Sequence, residues 1–236
     1  MNQDPQPAKD ATRTEARWFR AFHDLLYLPS HMTATLGFSF RHAGQRNMPA
    51  TGPALLVANH QSYLDPPLVG LAAHRPLVYL ARKTLFRNPY FASIIRLMNA
   101  VPIDQDGVGK EGIRTILDQL QLGKAVLVFP EGTRTPNGTM QPLKAGIQLL
   151  IKRAQAPIVP VGIAGAYDAW PIWRKYPLPA PIFLPCMAGC IAVSLGKPVD
   201  AARFAEMPRE QSLQALFDLI QAEVGHAEKL RRQDRV

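Results

Sequence analysis

The sequence predicts an α/β fold, a largely parallel sheet flanked by helices, with an N-terminal amphipathic helical segment ahead of it. Three observations carry that expectation. Short β-rich runs alternate with stretches of helical spacing along most of the chain, the order that builds a sheet covered by helices on both faces. The strand-like runs are apolar throughout, as buried strands are. A length of 236 residues with 47% hydrophobic content is enough to bury one sizeable core.

The chain opens on "MNQDPQPAKDATRTEAR", which is polar and lacks the apolar core of a secretory signal, so a cytoplasmic protein is expected. Next comes "RWFRAFHDLLYLPSHMTATLGFSF", with Trp18, Phe19, Phe22, Leu25, Leu26 and Leu28 beside Arg17 and Arg20. A basic, aromatic, amphipathic helix of this kind can lie in a bilayer interface; the alternative is an ordinary helix packed on the core. A linker-like "RHAGQRNMPATGP" then divides the chain into an N-terminal segment, 1–46, and a main domain, 47–236. Within the main domain Ala54–Ala58, Leu77–Ala81, Ala125–Phe129, Ile158–Ile163 and Ile191–Leu195 read as buried strands. Pro89–Met98, Gly109–Leu122 and Lys144–Ala154 read as helices, and Arg209–Leu230 as a C-terminal helix.

Two uncharged stretches do not read as membrane spans. The run from Leu25 to Phe40 is short and is interrupted by Pro29, His31 and Gly37. The run from Tyr176 to Gly196 contains Pro177, Pro179, Pro181 and Pro185, which deny a continuous helix its hydrogen bonds. Cys186 and Cys190 are too few for a disulfide framework and lack companions for a zinc site, so they read as inert thiols and no metal is expected. A net charge of +9 favours an anionic partner. The basic residues are spread along the whole chain with no polybasic run, which argues against nucleic acid.

Two strand ends carry the chemistry, because ligands of such sheets bind beyond the carboxyl ends of the strands. The first is "NHQSYLD". Asp65 precedes Pro66, so the following helix is expected to begin after the aspartate, with Asp65 as its N-cap and residues 59 to 64 as a loop that folds back. A second carboxylate oxygen is then available to accept the N–H of His60, fixing its tautomer and raising the basicity of the other ring nitrogen. The second strand end is "PEGTRTPNG", where Gly132 and Thr133 can expose backbone amides and Arg134 offers a planar fork suited to phosphate, although the spacing is not that of a Walker loop. A surface turn with a solvated arginine is the alternative at this motif.

Together these motifs resemble those of the glycerolipid acyltransferases typified by 1-acylglycerol-3-phosphate acyltransferase. "NHQSYLD", "VPIDQDG", "FPEGTRT" and "IVPVGI" follow the order of that family's four blocks, from about Leu55 to Gly165. The resemblance implies that residues 47–236 form an acyltransferase domain and that His60 is the catalytic base, oriented by Asp65. It implies too that Glu131, Gly132, Thr133 and Arg134 hold the glycerol phosphate acceptor. The second block departs from the family by having Gln105 where an arginine is usual, and Arg82 and Lys83, at the end of another strand, are candidates to replace that contact.

The expected reaction transfers a fatty acyl group from acyl-CoA or acyl-carrier protein to the hydroxyl of 1-acylglycerol-3-phosphate, giving phosphatidic acid, with no cofactor. His60 would deprotonate the hydroxyl as it attacks. The absence of a G-x-S-x-G elbow favours direct transfer over an acyl-enzyme. A different lysolipid acceptor, a thioesterase or lipid hydrolase using the same His–Asp pair, and a non-catalytic lipid-binding protein are the other readings. A lipid acceptor with no spanning segment places the chain peripherally, on the anionic cytoplasmic face of a membrane.

Overall fold

The computed structural model describes residues 24–103 and 110–232. Trp18, Phe19, Phe22, Arg17, Arg20 and Gln105 lie outside the described residues.

The described part of helix α1 covers residues 24–38. After it come β1 (Arg41–Ala43), β2 (Ala54–Ala58), α2 (Asp65–Ala73), β3 (Leu77–Arg82), α3 (Pro89–Leu97), β4 (Ala100–Ile103), α4 (Lys110–Gln121) and β5 (Ala125–Val128). The chain continues through α5 (Gly146–Arg153), β6 (Ile158–Ala164), α6 (Ala166–Ala169), β7 (Ala192–Leu195), α7 (Ala202–Ala205) and α8 (Arg209–Leu230). The seven strands form one sheet in the order β1-β7-β6-β2-β5-β3-β4. All pairings are parallel except that between β6 and β7. The fold is thus the predicted mostly parallel, helix-flanked sheet.

Central strand β2 shows how the core is built. Its five residues are all buried. Leu56 and Ala58 face α2 and the α1 side, while Leu55 and Val57 face the layer formed by α4, α5 and α8. Alternate side chains leave a strand on opposite faces, so a strand covered on both sides must be apolar at every position. Helix α8 packs directly on Gly162 of β6, where a Cβ would come within 2.0 Å of the backbone carbon of Glu223, so only glycine fits.

Two strands escape a reading from sequence. Arg41–Ala43, which reads as linker, pairs with β7 at one edge of the sheet. Ala100–Ile103 contains Pro102 and pairs with β3 at the other edge. Proline is tolerated on an edge strand, whose outward N–H has no ladder partner to lose. Among the described residues no helix is long and apolar enough to cross a membrane.

Candidate active site

Strands β6, β2, β5 and β3 run in one direction, so their carboxyl ends share one edge of the sheet. Asn59, immediately after β2, ties that edge together: its Nδ2 donates to the Ile163 carbonyl (3.0 Å) and its Oδ1 accepts the Ile163 N–H (2.8 Å).

His60 follows, and its Nδ1 lies 2.8 Å from Asp65 Oδ2. A carboxylate only accepts, so Nδ1 carries the proton of this bond, and in the neutral ring the lone pair is on Nε2. The same Oδ2 also accepts the backbone N–H groups of Gln61 (2.5 Å) and Ser62 (2.7 Å), curling the loop around the carboxylate. Asp65 is fully buried, whereas the His60 side chain retains 19% exposure. The His60 ring stacks on Phe129, the residue after β5, with centroids 3.9 Å apart and planes 14° from parallel.

The expected N-cap role of Asp65 is not what the structure contains. Helix α2 starts at Asp65 itself, has Leu64 as its cap position and shows no side-chain cap bond. Pro66 and Pro67 explain the difference. Neither has an N–H to offer a cap, and the next amide, that of Leu68, is bonded to the Leu64 carbonyl (3.1 Å). The carboxylate is therefore committed to the loop and the imidazole.

The loop after β5 is braced by Glu131. This residue is 2% exposed. Its Oε1 accepts the His60 backbone N–H (2.6 Å) and its Oε2 that of Gln141 (2.7 Å). The Thr135 N–H closes the junction by donating to the His60 carbonyl (2.8 Å). Burial pushes the Glu131 carboxyl up to about 7; the two amide bonds pull the other way and the nearby Asp65 charge adds to the rise. Gly132, at φ 78°, reverses the chain in a left-handed turn that favours glycine, leaving Thr133 exposed. Arg134 lies over the ring of Tyr63, its Cζ 3.4 Å from the centroid.

The geometry thus brings His60, Asp65, Glu131, Gly132, Thr133 and Arg134 into two interlocked loops. Arg82 and Lys83 stand at the same edge but at the end of β3, which β5 separates from β2, roughly 10 Å away at two strand spacings. Lys83 pairs there with Glu111 at 3.3 Å. Phe129 and Tyr63 did not stand out in the sequence, whereas Asn59 was legible there beside His60 at the end of a strand. Phe129 had one usable signal, its place at the end of a strand running straight into the second motif. Among the described residues no cluster of His, Cys, Asp or Glu is arranged to hold a metal ion.

A model of the acyltransferase family matches residues 39–164. The chain is 26% identical over 185 residues to a 1-acyl-sn-glycerol-3-phosphate acyltransferase of Bacillus subtilis, covering 78% of this chain and 85% of that protein. It is 29% identical over 220 residues to the protein of the same name from Saccharomyces cerevisiae, covering 86% and 67%. With the human alpha form it shares 33% identity over 146 residues, 58% of this chain and 50% of the relative. Among solved structures, the crystal structure of the 1-acyl-sn-glycerophosphate (LPA) acyltransferase PlsC from Thermotoga maritima superposes with a TM-score of 0.68 at 22% identity, covering 100% of this chain and 86% of that one. At that identity the likeness is one of fold.

Proposed function

The chain belongs to the acyltransferase family, and from that premise we propose that it moves a fatty acyl group from acyl-CoA or acyl-carrier protein to the free hydroxyl of 1-acylglycerol-3-phosphate, forming phosphatidic acid. The observation that carries this reading is the His60–Asp65 pair, a partly exposed imidazole held at 2.8 Å by a buried carboxylate. Nε2 of His60 takes the proton of the acceptor hydroxyl as its oxygen attacks the thioester carbonyl. The C–O bond forms, the C–S bond breaks, and the imidazolium returns the proton to the departing thiolate. Asp65 stabilises the charged ring between these steps and holds it in the reactive tautomer.

Arg134 supplies the contact to the acceptor phosphate, with the Gly132–Thr133 turn shaping the rest of that pocket. Glu131 takes part by fixing the loop, since both of its oxygens are occupied by backbone amides. Arg82 and Lys83, farther along the edge, meet the outer part of the substrate's charge. Purified protein given lysophosphatidate and either donor is expected to yield phosphatidic acid. Release of free fatty acid in its place would make the chain a thioesterase.

A lipid acceptor requires access to a membrane surface, and residues 1–46 with the Trp170–Pro185 segment provide it in this reading. Leu25, Leu28, Met32 and Leu36 are exposed along α1. The loop carrying exposed Trp173, Tyr176 and Phe183 runs beside that helix, tied by hydrogen bonds from Ala180 N to the Gly37 carbonyl (2.8 Å) and from Ile182 N to the Leu36 carbonyl (3.3 Å). With Arg174 and Lys175 at its margin, this apolar surface suits anionic lipid at a cytoplasmic face. Vesicle flotation is expected to show binding that weakens with salt and falls sharply when residues 1–40 are deleted; undiminished binding of the truncated chain would move the contact to Trp170–Pro185.

A further inference from the structure

Tyr63 lies between the two members of the His–Asp pair, and its ring is in contact with the other loop. The Cζ of Arg134 is 3.4 Å from the ring centroid. At that distance only a nearly parallel plate fits, because a tilted guanidinium would drive one of its nitrogens into the ring. Behind the tyrosine stands Trp170, 5.1 Å away and inclined at 48°. The loop holds it there through a hydrogen bond from Ser62 Oγ to the Trp170 carbonyl (2.9 Å), and the Trp170 indole N–H donates to the Arg174 carbonyl (3.0 Å). Tyr63 and Trp170 together wall a cleft of about 440 Å³.

The manner of holding matters for the charge. Among the described residues no carboxylate pairs with Arg134, and its buried Nη1 has no hydrogen-bond partner among them. A carboxylate would fix an arginine by neutralising it and consuming its in-plane donors. An aromatic face fixes the same group through its π surface, leaving the positive charge and the N–H edge for another anion. The loop that carries the base therefore also orients the cation, and a single backbone segment sets the distance between them.

We propose that Tyr63 is a positioning residue for the acceptor phosphate: its ring holds the Arg134 guanidinium in the orientation that receives the phosphate of the lysolipid while His60 faces the hydroxyl. This rests on the reading of Arg134 given above. Its consequence is that Tyr63 governs acceptor affinity through Arg134 and not the chemical step.

The test is steady-state kinetics with lysophosphatidate varied at saturating donor, and donor varied at saturating lysophosphatidate, for Tyr63→Leu, Tyr63→Phe, Arg134→Ala and the Tyr63→Leu/Arg134→Ala double variant. Tyr63→Leu is expected to raise the acceptor KM roughly threefold to thirtyfold, the range of a partly desolvated cation–π contact. The donor KM and kcat should stay within about twofold, an allowance set by the weakest such contacts. Tyr63→Phe should restore most of the affinity, and the double variant should be no worse than Arg134→Ala. Because KM does not depend on the fraction of folded enzyme, partial misfolding does not mimic this pattern. An acceptor KM raised by Arg134→Ala but untouched by Tyr63→Leu would overturn the role of the ring alone. An acceptor KM indifferent to Arg134→Ala would overturn the phosphate contact and the proposal with it. Loss of kcat without a change of KM in Tyr63→Leu, or a tyrosine effect that persists fully without Arg134, would equally contradict it.

Discussion

The loop after β2 and the loop after β5 lie side by side at one edge of the sheet, and each buries a single carboxylate, but the two acids are spent differently. Asp65 gathers three donors on one oxygen, two backbone amides and the imidazole of His60. Glu131 divides its oxygens between two backbone amides, one in each loop. A group whose partner is a titratable ring can alter reactivity. One whose partners are peptide N–H groups can alter only position. Residue type and motif membership do not separate these cases; the identity of the partner does.

This contrast predicts a graded series of losses. In the proposed mechanism His60→Ala removes the base itself and should lower kcat by about 10²–10⁴ while leaving the fold intact, since the residue lies in a loop outside the apolar core. Circular dichroism alongside the transfer assay checks both halves, and near-normal turnover would remove His60 from the mechanism. Asp65→Asn should cost less, but still well over tenfold, because the amide oxygen can keep the bonds to Gln61 and Ser62 while the ring loses its charged partner. Equal activity would reduce Asp65 to a loop brace like Glu131.

Glu131→Gln should have the smallest effect on turnover and a distinct effect on stability. An amide cannot accept at both ends, so one buried N–H loses its partner at a cost of about 1–3 kcal/mol. The wild-type carboxyl, raised from 4.5 to about 7 by burial, keeps in the folded chain a proton that the unfolded chain releases. Stability from this group therefore declines as pH rises from about 4.5 to about 7. That part of the slope should vanish in Glu131→Gln when unfolding midpoints are measured across the window. An unchanged slope would assign the titration to another group.

How far these roles were legible follows from where the partners lie. His60 and Asp65 are five residues apart, and Pro66 forces the chain between them to act as a loop, so their meeting can be read locally. Of the partners of Glu131, Gln141 lies ten residues on in the same loop, but His60 is brought to it by the parallel pairing of β2 and β5, and no local pattern encodes that meeting. The same holds for Phe129 under the His60 ring and for Tyr63 over Arg134. The N-cap expectation failed because two consecutive prolines leave no amide to cap. Among the elements, the buried strands and long helices announce themselves by apolar runs and spacing. The edge strands do not, because β1 is three residues with a polar start and β4 is only four residues, one of them a proline.

The most direct test of the central claim is a double-mutant cycle on turnover with His60→Ala, Asp65→Asn and the pair combined. If Asp65 acts on the reaction only through the imidazole, Asp65→Asn costs well over tenfold in the wild-type background and nothing further once His60 is alanine. Equal losses from Asp65→Asn in both backgrounds would contradict the account, because the aspartate would then serve the reaction by a route that bypasses His60.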